Sequence, residues 1–182
     1  FNLGFMDRLR ELPGVEAVAL SSTLPFGDFH EGERIRRVGA ANEGEPPWAT
    51  YRIVSTGYFR SLGLSMIRGR EFTEEEERSS QAPRVAIIDA ALARKLFGDD
   101  DPIGQVVAIV PRARLGGELT EEPFLIVGIA PPIREEVVDP GPTEHLYVPF
   151  GRHQRGEMHL TVRTSPGGDA AVMLQTIRLL GV

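Results

Sequence analysis

The sequence predicts an α+β fold, because segments with strand character and segments with helical spacing alternate irregularly along it. About eight short stretches are rich in Val and Ile or alternate apolar with polar residues, as strands do. About four further stretches space their apolar residues as helices do. A doubly wound parallel sheet would need regular β-α-β alternation, which is absent. The 182 residues, 41% of them hydrophobic, suffice for one ordinary domain or two small ones sharing a core.

The first third of the chain predicts one helix followed by strands. Residues 1–12 space their apolar side chains at helical intervals, and Pro13-Gly14 ends that run. Residues 15–20 alternate in the manner of a strand buried on at least one side. Residues 33–38 carry many charges, which predicts a strand at a sheet edge or in a solvent-facing hairpin. Residues 50–54 predict the next strand.

The densest group of local signals lies in residues 54–72. Ser55 or Thr56 can cap the start of a short helix. A compact apolar face on one or two helical turns is then formed by Tyr58, Phe59 and Leu62. Gly63 predicts the helix end, since glycine tolerates a positive φ. A short extended piece and a turn at Gly69 follow, so we expect a folding unit whose three apolar side chains lie in the core.

The rest of the chain predicts strands and two further helices. Residues 74–78 indicate a solvated, acidic helical turn. Residues 85–88 form a short aliphatic run typical of a buried strand. Asp89 can cap a helix over residues 90–97. The remaining predicted elements are strands at 105–110, 124–129, 145–149 and 158–164 and a helix at 170–180.

Composition and charge exclude several function classes. The formal net charge of −6 argues against nucleic acid as a main partner and against an anionic membrane surface. The chain has no cysteine, which excludes disulfides and thiolate chemistry. No segment approaches the length of about 18 apolar residues that a membrane-spanning helix needs. Because the chain opens on Phe1, we expect it to be a piece of a longer protein.

The titratable residues form no recognisable catalytic or metal-binding motif. The four histidines do not occur in an H-E-x-x-H pattern, and we interpret them as surface or edge residues: His30, His145, His153 and His159. Residues 99–101 are three consecutive aspartates, which indicate a solvated turn because they lack the alternating ligands of a calcium loop. Residues 74–77 indicate a charged face at a helix start. We therefore predict no catalytic residue, no metal ligand and no cofactor.

Two alternatives remain open at the level of residues. No serine lies in a G-x-S-x-G setting, and no phosphate-binding glycine loop occurs. Any two of the 26 acidic residues could still meet in space as a carboxylate pair. In the loop at residues 21–30, Phe26 and Phe29 flank Gly27-Asp28. These two phenylalanines either tuck into the core or form an apolar tip that contacts a partner.

Seven short motifs follow one another in order along nearly the whole chain. They are L-P-G-V-E-A-V at 12–18, V-S-T-G-Y-F-R-S-L-G at 54–63 followed by G-R-E-F at 69–72, V-A-I-I-D at 85–89, L-A-R-K-L-F-G-D-D-D-P-I-G at 92–104, F-L-I-V-G-I at 124–129, L-Y-V-P at 146–149, and L-T-V-R-T at 160–164. Their order resembles that of the MacB-like periplasmic core domain, the extracytoplasmic domain of MacB/FtsX-type ABC transporter permeases.

This resemblance implies a fold with two parts. Residues 1–55 and 124–182 would form a porter-like α/β subdomain from both chain ends. Residues 56–123 would form a smaller, β-rich inserted subdomain. The longer protein would be anchored on the periplasmic side of a bacterial inner membrane by one transmembrane helix before this chain and three after it.

The resemblance also implies a function and a set of partners. The domain would be non-catalytic and would couple cytoplasmic ATP hydrolysis to periplasmic substrate export or to activation of a partner. Its partners would be the transmembrane helices and the ATP-binding subunit or domain of the permease. A periplasmic adaptor protein and a homodimer within the full transporter are further expectations. The alternative is a free-standing small-ligand binding protein or hydrolase, which would need polar groups converging in a deep pocket.

Overall fold

The computed structural model describes residues 3–24, 32–39, 44–79, 81–110, 121–133, 144–152, 157–167 and 170–179. The helices in these ranges are α1 (Leu3–Arg10), α2 (Tyr58–Ser61), α3 (Glu74–Arg78), α4 (Ala90–Phe97) and α5 (Ala170–Leu179), with one 3-10 turn at Phe150–Arg152. The strands are β1 (Val15–Ser21), β2 (Gly32–Arg37), β3 (Trp48–Val54), β4 (Arg68–Gly69), β5 (Val85–Asp89), β6 (Val106–Val110), β7 (Glu122–Ala130), β8 (His145–Pro149) and β9 (His159–Thr164).

A single mixed sheet contains all nine of these strands. Its order is β2-β6-β7-β5-β8-β3-β1-β9, with β4 paired to β7. The pairs β3–β8 and β5–β7 are parallel, and the others are antiparallel. Strand β2 also pairs with β3, so hydrogen bonding runs in a closed circuit through six strands. The predicted α+β class is confirmed by this mixed sheet with few helices.

Strand β2 lies inside the sheet and not at its edge. Residues Gly32 to Arg34 pair with β3, and Arg34 to Arg37 pair with β6. The hairpin alternative is therefore confirmed, while the edge alternative is wrong. The sheet accommodates the charged strand because its arginines reach acidic partners: Arg36 pairs with Glu121, and Arg37 Nη1 lies 2.9 Å from Asp100 Oδ2.

Two apolar clusters lie against the sheet, and alternate residues of a strand belong to different clusters. In β3, Tyr51 and Ile53 belong to the first cluster, and Val54 belongs to the second. The first cluster is also built from buried residues of α1 and α4: Phe5, Met6, Leu9, Leu92, Ala93 and Phe97. The second is built around aromatic residues: Tyr58, Phe59, Phe72 and Tyr147. Helix α2 therefore packs against the cluster that α1 and α4 do not reach.

Helix α2 begins without the side-chain cap that the sequence predicted. Its N-cap residue is Gly57, with φ +80° and no side-chain hydrogen bond, so the expectation that Ser55 or Thr56 caps the helix is wrong. Ser55 is used elsewhere, because its Oγ accepts the Leu20 N–H at 2.8 Å. The glycine supplies a left-handed turn that a residue with a Cβ adopts only with strain.

The apolar face predicted for residues 54–72 is a core element. Tyr58 and Phe59 are buried at 1% and 0% exposure, and Phe72 is buried as well. Leu62 is half-buried and packs against the same cluster. Gly63 follows the helix with φ +73°, as predicted for a helix-ending glycine.

The predicted division into two subdomains stays a prediction. Residues 56–123 contribute β4, β5 and β6, and the other two segments contribute the rest of the sheet apart from the start of β7. Strand β5 pairs with both β7 and β8. The two predicted subdomains thus share one hydrogen-bonded sheet.

Candidate functional site

A buried hydrogen bond between two side chains joins the end of β5 to the start of β8. His145 Nδ1 lies 2.9 Å from Asp89 Oδ2, and both side chains are 0% exposed. The other carboxylate oxygen, Oδ1, accepts the Leu92 N–H at 2.8 Å and so caps α4, as predicted for this residue. Antiparallel pairing of β5 with β8 brings the two side chains together. The prediction that His145 is a surface or edge residue is wrong.

Contacts between buried side chains continue from this pair through Tyr147 and Tyr58 to Arg52. The His145 and Tyr147 rings stack with centroids 5.6 Å apart and an interplanar angle of 9°. Arg52, which is 0% exposed, donates from Nη1 to the Tyr58 hydroxyl at 2.9 Å. Because these residues are all buried, they can fix the packing of the sheet but cannot contact a substrate at the surface.

The other histidines do not extend the cluster. His159 is half-buried in β9, which is the last strand in the sheet order. His30 and His153 lie outside the described residues. Phe26 and Phe29 also lie outside them, so their partner-facing role stays a prediction.

A cavity of about 540 Å³ lies between β1, the turn before α2 and the segment that precedes α3. Its charged lining consists of two arginines and three glutamates: Arg10, Arg60, Glu16, Glu71 and Glu74. Ala17, Val18 and Phe72 add an apolar wall. The volume falls in the range of roughly 300–1,000 Å³ that is usual for ligand pockets.

Burial and nearby groups shift the pKa of one cavity carboxylate in opposite directions. Burial raises the pKa of Glu71, and the opposing effects are the positive charge of Arg60 and a hydrogen bond from the Gly57 N–H. Glu71 thereby connects the segment before α3 to the turn before α2. The groups that line this wall therefore carry both signs of charge at close range.

A second carboxylate lies behind the cavity wall. Burial raises the pKa of Glu77, and the hydrogen bond from Thr56 and the charge of Arg10 oppose that rise. The Thr56 hydroxyl donates to Glu77 Oε2 at 2.5 Å, and Arg10 Nη2 donates to Thr56 Oγ1 at 3.4 Å. This chain of hydrogen bonds holds α1, the α2 turn and α3 together beneath the cavity.

Helix α3 is not the solvated acidic turn that the sequence predicted. Glu76 and Glu77 are 7% and 1% exposed, so the expectation is wrong for these two residues. Glu76 completes a capping box with Thr73 and accepts two hydrogen bonds from Arg70, at 2.9 and 2.7 Å. Burial by itself would raise the pKa of Glu76, but Arg70 and the Thr73 N–H outweigh it, and the pKa is lowered.

The aspartates at 99–101 form an exposed turn, as predicted. Asp100 pairs with Arg37, and Asp101 Oδ2 lies 2.7 Å from Arg68 Nη2. Among the described residues, no group of three or more histidine, aspartate or glutamate side chains is placed to hold a metal ion. In the same part of the chain, no helix combines the length and apolar character needed to cross a membrane.

Sequence reasoning did not identify the cavity. Its walls come from α1, β1, the α2 turn and the residues around 71–74, which only tertiary structure brings together. No spacing rule connects Arg10 with Glu71. The one local signal was Gly57, which lies inside the V-S-T-G-Y-F motif and supplies the turn at the cavity wall.

Comparison with known proteins identifies the kind of domain to which the chain is similar. A family model described as the MacB-like periplasmic core domain matches residues 3–179. The macrolide export ATP-binding/permease protein MacB of Vibrio parahaemolyticus is 28% identical over 184 aligned positions, which cover 96% of this chain and 26% of that protein. The MacB of Chlorobium luteolum is 33% identical over 110 residues, which cover 57% of this chain and 15% of that protein. The chain thus spans about a quarter or less of these relatives.

Solved structures show the same fold. The periplasmic region of MacB from Actinobacillus actinomycetemcomitans superposes with a TM-score of 0.65 at 18% identity, covering 99% of this chain and 72% of that one. The extracellular domain of the ABC-type transporter YknZ from Gram-positive bacteria gives a TM-score of 0.59 at 22% identity, with 99% and 82% covered.

Proposed function

This chain belongs to the MacB-like periplasmic core domain family, and we propose that it transmits ATP-driven movement across a membrane without performing chemistry itself. Domains of this family lie on the periplasmic side of ABC transporter permeases. The observation that supports the proposal is the family match over residues 3–179, which contains every described helix and strand. In the longer protein, transmembrane and ATP-binding parts would drive the movement, and substrate export or activation of a partner would be its result.

The architecture suits a part that moves as a rigid body. Six strands are hydrogen bonded in a closed circuit, and apolar clusters pack against the sheet. The buried pair of Asp89 and His145 ties two neighbouring strands through side chains as well. Force applied at one end of such a unit displaces the whole of it, since a close-packed interior has low compressibility.

The partners follow from this proposal. Transmembrane helices would anchor the domain, and a cytoplasmic ATP-binding subunit or domain would supply the energy. A periplasmic adaptor protein and a second copy of the same permease would complete the assembly. Within the domain, residues 1–55 and 124–182 would form the porter-like part and residues 56–123 the inserted part.

The proposal is tested by spin-label distances in the intact permease reconstituted in lipid nanodiscs. Exposed positions Glu75 and Asp99 are changed to cysteine together, which measures distances within the domain, and this part of the protein contributes no native cysteine. A second sample pairs Asp99→Cys with a cysteine in the ATP-binding part. Both are measured without nucleotide, with ATP and after vanadate trapping.

We expect the distance within the domain to remain constant and the distance between the domain and the ATP-binding part to change with nucleotide. Constant distances of both kinds in all three states would contradict coupling. A large change within the domain itself would contradict movement as a rigid body. ATPase activity of the labelled proteins, measured beside the unlabelled permease, controls for damage by the labels.

A further inference from the structure

Helix α3 contacts the rest of the domain through polar groups. Its five residues are four glutamates and one arginine, so it contributes no apolar side chain to either cluster. Phe72, just before the helix, is the nearest residue in sequence that belongs to a cluster. A helix held in this way depends on hydrogen bonds and charges, and both change when a carboxyl group gains or loses a proton.

Glu77 is the most buried of these four glutamates, at 1% exposure. Its Oε2 accepts a hydrogen bond from the Thr56 hydroxyl at 2.5 Å, whereas its Oε1 has no hydrogen-bond partner among the described residues. A buried carboxylate with one unsatisfied oxygen costs free energy, and a proton on that oxygen removes the charge. The neutral carboxyl group therefore suits this position better than the carboxylate does.

The packing around Glu77 separates it from water. The backbone of the 3-10 turn lies directly on α3, since a Cβ added to Gly151 would lie 1.9 Å from the Glu77 carbonyl oxygen. On another side, Thr56 stands between Glu77 and α1, because Arg10 Nη2 donates to Thr56 Oγ1 at 3.4 Å. An ionised Glu77 is therefore hydrated only if α3 moves away from these neighbours.

The described charged side chains that act on Glu77 come from α1 and from α3 itself. Burial raises the pKa of Glu77 and outweighs the hydrogen bond described above and the positive charges of Arg10 and Arg78, which lower it. Asp7 pairs with both arginines, and Glu74 Oε2 lies 4.0 Å from Arg78 Nε. The arginines keep their charge throughout the ordinary pH range, so they do not themselves respond to pH.

Two other carboxylates near α3 differ from Glu77. Burial raises the pKa of Glu71 too, against the charge of Arg60, but Glu71 is half-buried and lines the cavity, so it is hydrated without movement of α3. Burial would raise the pKa of Glu76, but Arg70 helps to lower it, so Glu76 is ionised at pH 4.5 and above. Among these three, Glu77 alone combines near-complete burial with a raised pKa.

We propose that Glu77 is the proton-binding group of a junction that holds α3 against α1 and the turn before α2: the protonated group keeps the junction closed, and its ionisation releases α3. Thr56 and Glu74 line the cavity, so release of α3 widens it. The inference concerns the domain alone and does not depend on transport coupling.

The direction of the pH effect follows from the raised pKa of Glu77. The folded state favours the protonated form, so the contribution of this group to stability is fully present below the ordinary value of 4.5. It is lost as the pH rises through the higher pKa of the folded state. The junction is therefore tightest in acid, and α3 opens more often as the pH approaches neutrality.

The test measures amide hydrogen exchange by NMR in the 182-residue chain between pH 4.5 and 7.5. The N–H groups of residue 77 and Ser79 report on α3, since they donate to the carbonyls of Thr73 and Glu75. Rates are corrected for the chemical dependence of exchange on pH, and amides of β5 report on the sheet. Glu77→Gln removes the titrating group, and Glu75→Gln, at an exposed position of the same helix, is the matched control.

We expect protection of the α3 amides to fall at least about three-fold across this range in the parent chain and in Glu75→Gln, with β5 unchanged. In Glu77→Gln, protection should not depend on pH. The same pH dependence in Glu77→Gln as in the parent chain would overturn the proposal, as would constant protection in the parent chain. Loss of the dependence in Glu71→Gln but not in Glu77→Gln would place the proton on Glu71 and would also overturn it.

A titration of the unchanged chain tests the proposal without any variant. The side-chain carboxyl carbons of Glu76 and Glu77 are followed by carbon-13 NMR in the same spectra. We expect Glu77 to titrate above the ordinary value of 4.5 and Glu76 below it. Titration of Glu77 at or below that value would show that the buried carboxylate is tolerated, and the proposed junction would then have no proton to release.

Discussion

Asp89 lies where β5 ends and α4 begins. One carboxylate oxygen caps α4 and the other contacts His145, so a single side chain fixes a helix start and a strand pair. Asp89 and His145 are both 0% exposed. Removing one partner of a buried polar contact costs more than the contact contributes, because the remaining group loses both its partner and water.

We therefore expect Asp89→Ala to lower the free energy of unfolding by about 2–4 kcal/mol, the sum of a lost helix cap and an unsatisfied buried group. Asp89→Asn keeps an oxygen for the cap and should cost clearly less. Urea denaturation followed by circular dichroism measures both. Equal losses for the two variants would mean that capping contributes little.

Phe59 tests the interpretation of residues 54–72 as a core element. Its ring is 0% exposed and contacts Tyr147 edge-to-face, with centroids 5.0 Å apart. Phe59→Ala should cost about 3–5 kcal/mol in the free energy of unfolding. The neighbouring exposed Arg60→Ala should stay within roughly 0.5 kcal/mol. A near-neutral Phe59→Ala in chemical denaturation would contradict the assignment.

At the scale of residues, sequence patterns predicted apolar burial better than polar burial. The spacing of Tyr58 and Phe59 marks an apolar face, and both are in the core. His145 carries no such signal, since its partner Asp89 is distant in sequence and meets it only through strand pairing. A polar residue is buried wherever tertiary structure supplies a partner, and local sequence does not record that partner.

Helix α3 shows the same principle at the scale of an element. Its run of four glutamates satisfies the pattern of a solvated helix start. In the structure, Glu76 turns back to the Thr73 backbone and to Arg70, while Glu77 is held by Thr56. The capping signal T-x-x-E is present in the sequence, but no local pattern indicates that Arg70, six residues before Glu76, is its partner.

The lowered pKa of Glu76 makes the contribution of this element depend on pH. Because the carboxylate is favoured in the folded state, it stabilises the fold above the ordinary value near 4.5, and the stabilisation is lost as pH falls through the lower folded pKa. Glu76→Gln should therefore lower the melting temperature at pH 7, and its difference from the parent chain should shrink in the acid range.

Thermal unfolding at a series of pH values measures this effect. Exposed Glu75→Gln lies in the same turn and is the matched control, for which we expect little change. A difference that stays constant into the acid range would show that packing, and not ionisation, is the origin.

Contiguous elements were predicted with good boundaries. The aliphatic run before Asp89 and the periodic run after it are β5 and α4, with the cap at the predicted residue. The cap of α2 was predicted wrongly, because its N-cap is Gly57 in a left-handed conformation and not a residue with a capping side chain. Strand and helix periods are local properties, whereas the use of Ser55 depends on the distant backbone of Leu20.

At the scale of the whole molecule, the closed circuit of strands determines cooperativity. Strand β5 connects segments that the resemblance assigns to different subdomains, through its pairs with β7 and β8. The sheet order itself had no signal in the sequence, because strand partners are chosen by tertiary packing and not by neighbours in the chain.

We expect a single cooperative unfolding transition. Urea unfolding followed by far-UV circular dichroism should coincide with that followed by fluorescence of Trp48, the one tryptophan of the chain, located in β3. Transitions at separate urea concentrations would show that the two predicted subdomains unfold independently in spite of the shared sheet.

The pairing of β1 with β9 has a consequence for the time course of folding. Within this domain, β1 is synthesised well before β9, the strand with which it has its longest register. Strand β3 likewise pairs with β8 in parallel. Contacts between residues distant in sequence slow folding, because the connecting chain must first be ordered. Until β9 arrives, the backbone edge of β1 with which it pairs stays open. An unpaired strand edge promotes aggregation, and a nascent chain of this domain therefore depends on rapid completion or on a chaperone.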